Sequence, residues 1–173
     1  MLTRQGFLTA IALAVFPLLP SSGICAEPLA VPTEEIVLEV SGNIGNANAG
    51  TVAQFDLQML RGMRQVSYET TTLWTEGVTR FTGVPLKEIL RLLNVTDGVL
   101  RARAINEYAV DIPVETIEPN VPLLAFEMNG QTMSRRDKGP LWIVYPYDSD
   151  EAYRSETVYT RSIWQLDRIE VTD

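Results

Sequence analysis

Four stretches of this sequence carry side chains that a plain connector does not need. The first runs from Thr70 to Gly83, where Trp74 and Phe81 supply flat apolar surface, Glu76 and Arg80 supply charge, and a series of threonines supplies hydroxyls. Such a loop could line a pocket for a flat ligand; the alternative is that both aromatics fold back over the core. The second is Asn106-Glu107-Tyr108, a carboxylate between an amide and a phenol. A carboxylate can accept two N–H groups from one edge of a planar heterocycle while an aromatic face stacks on the ring. The alternative is a polar hairpin turn. The third, Tyr145-Pro146-Tyr147-Asp148-Ser149-Asp150-Glu151, crowds three acids together. Hard cations such as calcium take oxygen ligands, yet the spacing lacks the glycine and the distant glutamate of an EF-hand loop, so a solvated loop is the default. The fourth, Arg135-Arg136-Asp137-Lys138, could hold a phosphate or serve as a charged turn.

What is missing narrows the chemistry further. The 173 residues include no histidine, which removes Ser-His-Asp and Cys-His mechanisms, imidazole zinc sites and an imidazole base near neutral pH. The single cysteine, Cys25, cannot form an internal disulfide or a multi-thiolate metal site. A net charge of −8, with Lys87 and Lys138 the only lysines, speaks against nucleic acid as the main partner, because phosphate contacts need a basic face. No two acids stand in an apolar setting that would mark a glycosidase pair.

The elements that must position these groups follow from periodicity. Ile36, Leu38 and Val40 alternate as in a half-buried strand, which the glycine-rich run from Gly42 to Gly50 ends. Asp56 is placed to cap a short helix with Leu57, Leu60 and Met63 on one face, and Gly62 weakens its continuation. Residues 65–73 read as a strand. Pro85 suits a first helical position, followed by Leu86, Ile89, Leu90 and Leu93 at helical spacing. Strands are expected over 100–104, 108–112, 123–128 and 141–145, with Asn129-Gly130 as a hairpin turn. Residues 147–157 read as irregular. The stretch 159–171 reads as a strand that changes phase between Leu166 and Ile169, which calls for a bulge at Asp167-Arg168. About eight strands with two or three short helices, not in βαβ alternation, give an α+β domain with a mixed or antiparallel sheet.

Residues 1–26 read as a secretory signal peptide: Arg4 and the amino terminus precede an apolar run from Phe7 to Leu19. That run is shorter than the ~20 residues a membrane span needs. Cleavage after Ala26 would remove Cys25, and cleavage after Gly23 would keep it; lipidation of Cys25 is disfavoured by the bulky Ile24 before it. Residues 27–34 form a linker, and 35–173 one domain, expected in the periplasm.

In order along the chain, Leu38-Glu39-Val40-Ser41-Gly42, Phe55-Asp56-Leu57, Phe81-Thr82-Gly83-Val84-Pro85-Leu86, Asn106-Glu107-Tyr108, Leu123 to Gly130, and Gly139-Pro140-Leu141 up to Pro146 resemble the molybdopterin-binding domain of the sulfite oxidase family. The resemblance covers nearly all of residues 36–171 and implies a sulfite oxidase-like fold, mostly β. It departs from the family in two places. The family's molybdenum-binding cysteine would fall near Thr71 or Thr72, and Trp142 stands where a Pro-Leu-Arg run has its arginine. A neutral hydroxyl does not replace a thiolate as a soft metal ligand.

With those departures the chain looks like the small periplasmic pterin-binding variants of the family. That likeness implies a reduced pterin as ligand, no molybdenum, and a non-catalytic signalling role through the periplasmic domain of a membrane cyclic-di-GMP enzyme. The site residues it implies are Trp74 for stacking, Glu107 for the donor edge of the ring, Thr72, Tyr108 and Tyr147 around the ring, and Arg80 or Arg136 for the ligand's side chain. The rival readings are a molybdopterin-dependent oxidoreductase and an interaction module with a vestigial pocket.

Overall fold

The structure, a computed structural model, describes residues 28–173; the expected signal peptide and the first linker residue lie outside them. Strand β1 (Ile36–Gly42) pairs antiparallel with β2 (Ala53–Asp56), a strand that the sequence does not announce. Asp56 then caps helix α1 (Leu57–Gly62), accepting the Met59 N–H at 2.8 Å, and the helix stops at Gly62. A hairpin of β3 (Val66–Thr70) and β4 (Thr79–Pro85) leads into α2 (Leu86–Leu92). Pro85 caps this helix rather than opening it, and the Leu86 N–H donates outside the helix, to the Pro122 carbonyl at 3.0 Å. The α2 face of Leu86, Ile89, Leu90 and Leu93 is fully buried, as its spacing requires.

Next come β5 (Val99–Ala104), β6 (Ala109–Pro113), β7 (Leu123–Met128) and the two-residue β8 (Gln131–Thr132). Asn129 and Gly130 both take positive φ, 53° and 76°, the geometry of a tight hairpin turn between β7 and β8. Strand β9 (Leu141–Val144) is buried along its whole length. Residues 147–157, read as irregular, instead hold a single 3-10 turn (Glu151–Arg154) and the start of helix α3 (Glu156–Arg161). The final strand β10 (Trp164–Thr172) starts later than the sequence pattern suggests because α3 occupies its expected first residues.

The strands form one mixed sheet in the order β2-β1-β10-β9-β7-β4-β3, with β5 and β6 branching from β10 and β8 from β7. Strand β10 is the hub. It pairs antiparallel with β5, antiparallel with β9 through Trp164 and Leu166, and parallel with β1 through Arg168 to Val171. Register shifts on either side of Leu166, together with a positive φ of 51° at Gln165, bend it. The expected phase change is therefore present, and it spans Gln165 to Asp167. It leaves Leu166, Ile169 and Val171 all buried.

Candidate functional site

The turn between β3 and β4 is built by its threonines. Thr71 donates its backbone N–H and its hydroxyl to the Asp148 carboxylate, at 2.5 and 2.8 Å, and Asp148 returns its own N–H to the Thr70 hydroxyl at 3.1 Å. The Thr71 N–H also holds the Asp148 carboxyl below its ordinary pKa. One residue on, the Thr72 hydroxyl accepts the Trp74 N–H at 3.0 Å and shares a hydrogen bond with the Thr75 hydroxyl at 2.8 Å. These bonds lock the local chain so that the Trp74 indole turns inward.

Trp74 then meets four rings edge to face: Trp164 at 5.5 Å between centroids, Trp142 at 5.9 Å, Tyr159 at 6.0 Å and Tyr147 at 6.2 Å. Behind them the buried Trp142 donates its indole N–H to the Ser162 carbonyl at 3.1 Å. The Lys138 ammonium lies over both Trp142 and Trp164, at 5.6 and 5.5 Å from the ring centroids. Tyr147, also buried, donates to the Ser162 hydroxyl at 2.6 Å, and burial pushes its phenol up to about 12, so it stays protonated near neutral pH. Tyr68 is likewise kept neutral by burial and donates to the Val144 carbonyl.

In front of this aromatic wall opens a cavity of about 730 Å³, within the size range of small-molecule sites. Trp74, Trp164, Tyr159, Ser162 and Ile163 line it together with Ala104, Asn106 and Tyr108. Leu73 and Tyr108, two of the few large apolar residues left exposed, stand at its rim. Neither lysine nor arginine lines it. A neighbouring hollow of about 480 Å³ shares Tyr108, Glu156 and Thr160 with it and adds Asp111, Thr157 and Arg161.

The residues singled out from the sequence divide into three groups. Trp74 and Tyr108 line the cavity. Thr72 and Tyr147 stand behind the lining, the first holding the Trp74 backbone and the second touching its ring. Glu107, Arg80 and Arg136 lie outside the lining. Glu107 sits at the β5–β6 turn with φ 69°, ion-paired to Arg168 at 2.6 Å and to Arg103 at 3.2 Å, and the Arg168 hydrogen bond holds its carboxyl below the ordinary range. Arg80 is exposed on β4 opposite Glu69, with its backbone N–H bonded to Asn129. Arg136 is exposed in the turn before β9. The two readings of the first loop are thus not exclusive, since Trp74 both packs on the core and faces the cavity.

The sequence pattern did not single out Trp164, the α3 residues Glu156, Tyr159 and Thr160, or Ser162 and Ile163 in the link from α3 to β10, all of which line the cavity. One signal was available, Ser155 one residue ahead of Glu156. Its hydroxyl accepts the Val158 N–H at 3.4 Å as the helix cap.

The donor chemistry around the turn is hard: threonine hydroxyls and the Asp148 carboxylate. No group of three or more His, Cys, Asp or Glu side chains able to hold a metal occurs among the described residues, and no described helix is long and apolar enough to cross a membrane. No curated protein matches this sequence. Residues 30–173 match the model of the oxidoreductase molybdopterin binding domain, and the chain belongs to that family, with the mostly β, sulfite oxidase-like architecture described above.

Proposed function

We propose that this protein binds a reduced pterin in the Trp74 cavity without catalysis and acts as an exported signalling adaptor. It would report pterin supply to the periplasmic domain of a membrane enzyme that makes or degrades cyclic-di-GMP. The observation that carries the pterin part is the cavity itself: aromatic, of ligand size and open beside Trp74, in a domain whose family binds molybdopterin. The residues present suit the ring half of that cofactor and not its metal. The stretch that matches the family contains no cysteine, and the threonines nearest the expected ligand position already bond Asp148 and Trp74. Soft thiolate ligation has no counterpart there. For an anionic tail the adjoining hollow offers Arg161, which donates to the Thr116 hydroxyl at 3.3 Å. The signalling role rests on the resemblance to pterin-binding variants alone.

The deciding experiment purifies the protein from its native compartment, releases any bound small molecule, and identifies it by fluorescence and mass while measuring molybdenum in the same sample. A metal-free pterin is the expected result. Stoichiometric molybdenum would instead make the protein an oxidoreductase, and an empty cavity that no pterin enters would leave an interaction module. Trp74→Ala should weaken pterin binding by about one to two powers of ten, the usual cost of losing a stacking aromatic. Because Trp74 also packs on four rings, Tyr108→Ala at the exposed rim serves as a companion that leaves the core intact.

A further inference from the structure

Building on the pterin reading, we infer that Glu156 is the residue that reads the hydrogen-bond donor edge of the ring and so sets which heterocycle the cavity accepts. Glu156 borders both the main cavity and the hollow beside it. It is the one acidic side chain among the eleven lining residues of the main cavity. No hydrogen bond or ion pair within the described residues engages its carboxylate; only its backbone carbonyl is used, accepting the Thr160 hydroxyl at 2.9 Å. Glu107, whose neighbours Asn106 and Tyr108 line the cavity, is paired with two arginines and does not itself line it. Asp111, in the hollow, is held by Arg101 at 3.1 Å.

A free carboxylate presents two acceptor oxygens side by side. The pyrimidine half of a pterin presents two donors side by side, its exocyclic amine and the adjacent ring N–H, so the two edges match in spacing and polarity. Lumazine, the same ring with a carbonyl in place of that amine, turns one donor into an acceptor and sets it against the carboxylate. The selection is therefore for a two-donor heterocycle, made by Glu156 while the aromatic lining supplies ring contact that does not depend on the edge. The hollow past Glu156, with Thr157, Thr160 and Arg161, leaves room for a polar side chain of the ligand.

The test compares binding of tetrahydropterin and tetrahydrolumazine, under anaerobic conditions, to the wild-type protein and to Glu156→Gln and Glu107→Gln. Wild type should prefer tetrahydropterin by about 10- to 100-fold, the worth of a charge-assisted pair. Glu156→Gln should erase that preference or reverse it, because a glutamine amide can donate to the lumazine carbonyl, whereas Glu107→Gln should keep it. Both positions are exposed, and unchanged melting temperatures will confirm that the variants fold. Preference retained in Glu156→Gln, or lost in Glu107→Gln, overturns the assignment while leaving pterin binding in place. Wild-type protein that takes up neither ring sinks the pterin reading and this assignment with it.

Discussion

Asp56 gathers three backbone donors onto one buried carboxylate: Met59 at 2.8 Å on one oxygen, and Thr33 at 2.7 Å and Glu34 at 3.0 Å on the other. These bonds, the Met59 N–H foremost, hold its pKa below the ordinary value. A lowered folded-state pKa means stability that is fully present above the unfolded-state pKa of ~3.9 and lost as pH falls through the folded value. Asparagine cannot substitute, since either orientation of its amide points an NH₂ at a backbone N–H. Asp56→Asn should therefore destabilise the domain at pH 7 by about 1–3 kcal/mol, and the gap from wild type should narrow at pH 3, as measured by urea denaturation at both values. The cap was readable from sequence because Asp56 precedes a helical run directly. The arginine partners of Glu107 were not, because Arg168 is distant along the chain and only the β10–β5 pairing brings it near.

At the scale of elements, the strand before α2 depends on a close approach that only glycine permits. Gly83 faces β7 across a register shift, and a β-carbon there would lie 2.1 Å from the Leu124 carbonyl oxygen and 2.6 Å from the Ala125 Cα, both backbone atoms unable to rotate away. Gly83→Ala should cost at least 1–3 kcal/mol, within the range of core overpacking, and lower the thermal midpoint accordingly; a variant as stable as wild type would show that β4 can slide on β7. Most strands and both earlier helices were legible because alternation and helical spacing are strong there, whereas β2 went unannounced and β4 fell within a stretch read as a loop. Helix α3 was not, because Thr157, Val158 and Thr160 are β-branched and Tyr159 favours strands, so local preference pointed the wrong way and tertiary packing decided. Since α3 and the residues that follow it to Trp164 supply six of the eleven lining residues, much of the candidate site stayed hidden while most of the fold did not.

For the molecule as a whole, a ligand that occupies the cavity of the folded state and not the unfolded chain must raise stability by mass action. At a free concentration one hundred times its Kd, tetrahydropterin should add about 2.7 kcal/mol, a rise of roughly 5–11 °C in Tm for a domain of this length. Differential scanning fluorimetry with increasing pterin measures this directly, and a flat melting temperature at saturating ligand contradicts binding. The cavity draws its lining from three distant parts of the chain, residues 73–74, 104–108 and 156–164. The pairing of β1 with β10 likewise joins residues about 130 positions apart. Such a layout is slow to assemble, since long loops must close before the contacts that reward them exist. It also makes the domain indivisible. A chain nicked between β6 and β7 would give one piece that keeps β1 and β5 and another that keeps β9 and β10. Neither piece alone could sew the sheet shut or enclose a guest, so recovering binding from the two halves would require them to find each other first.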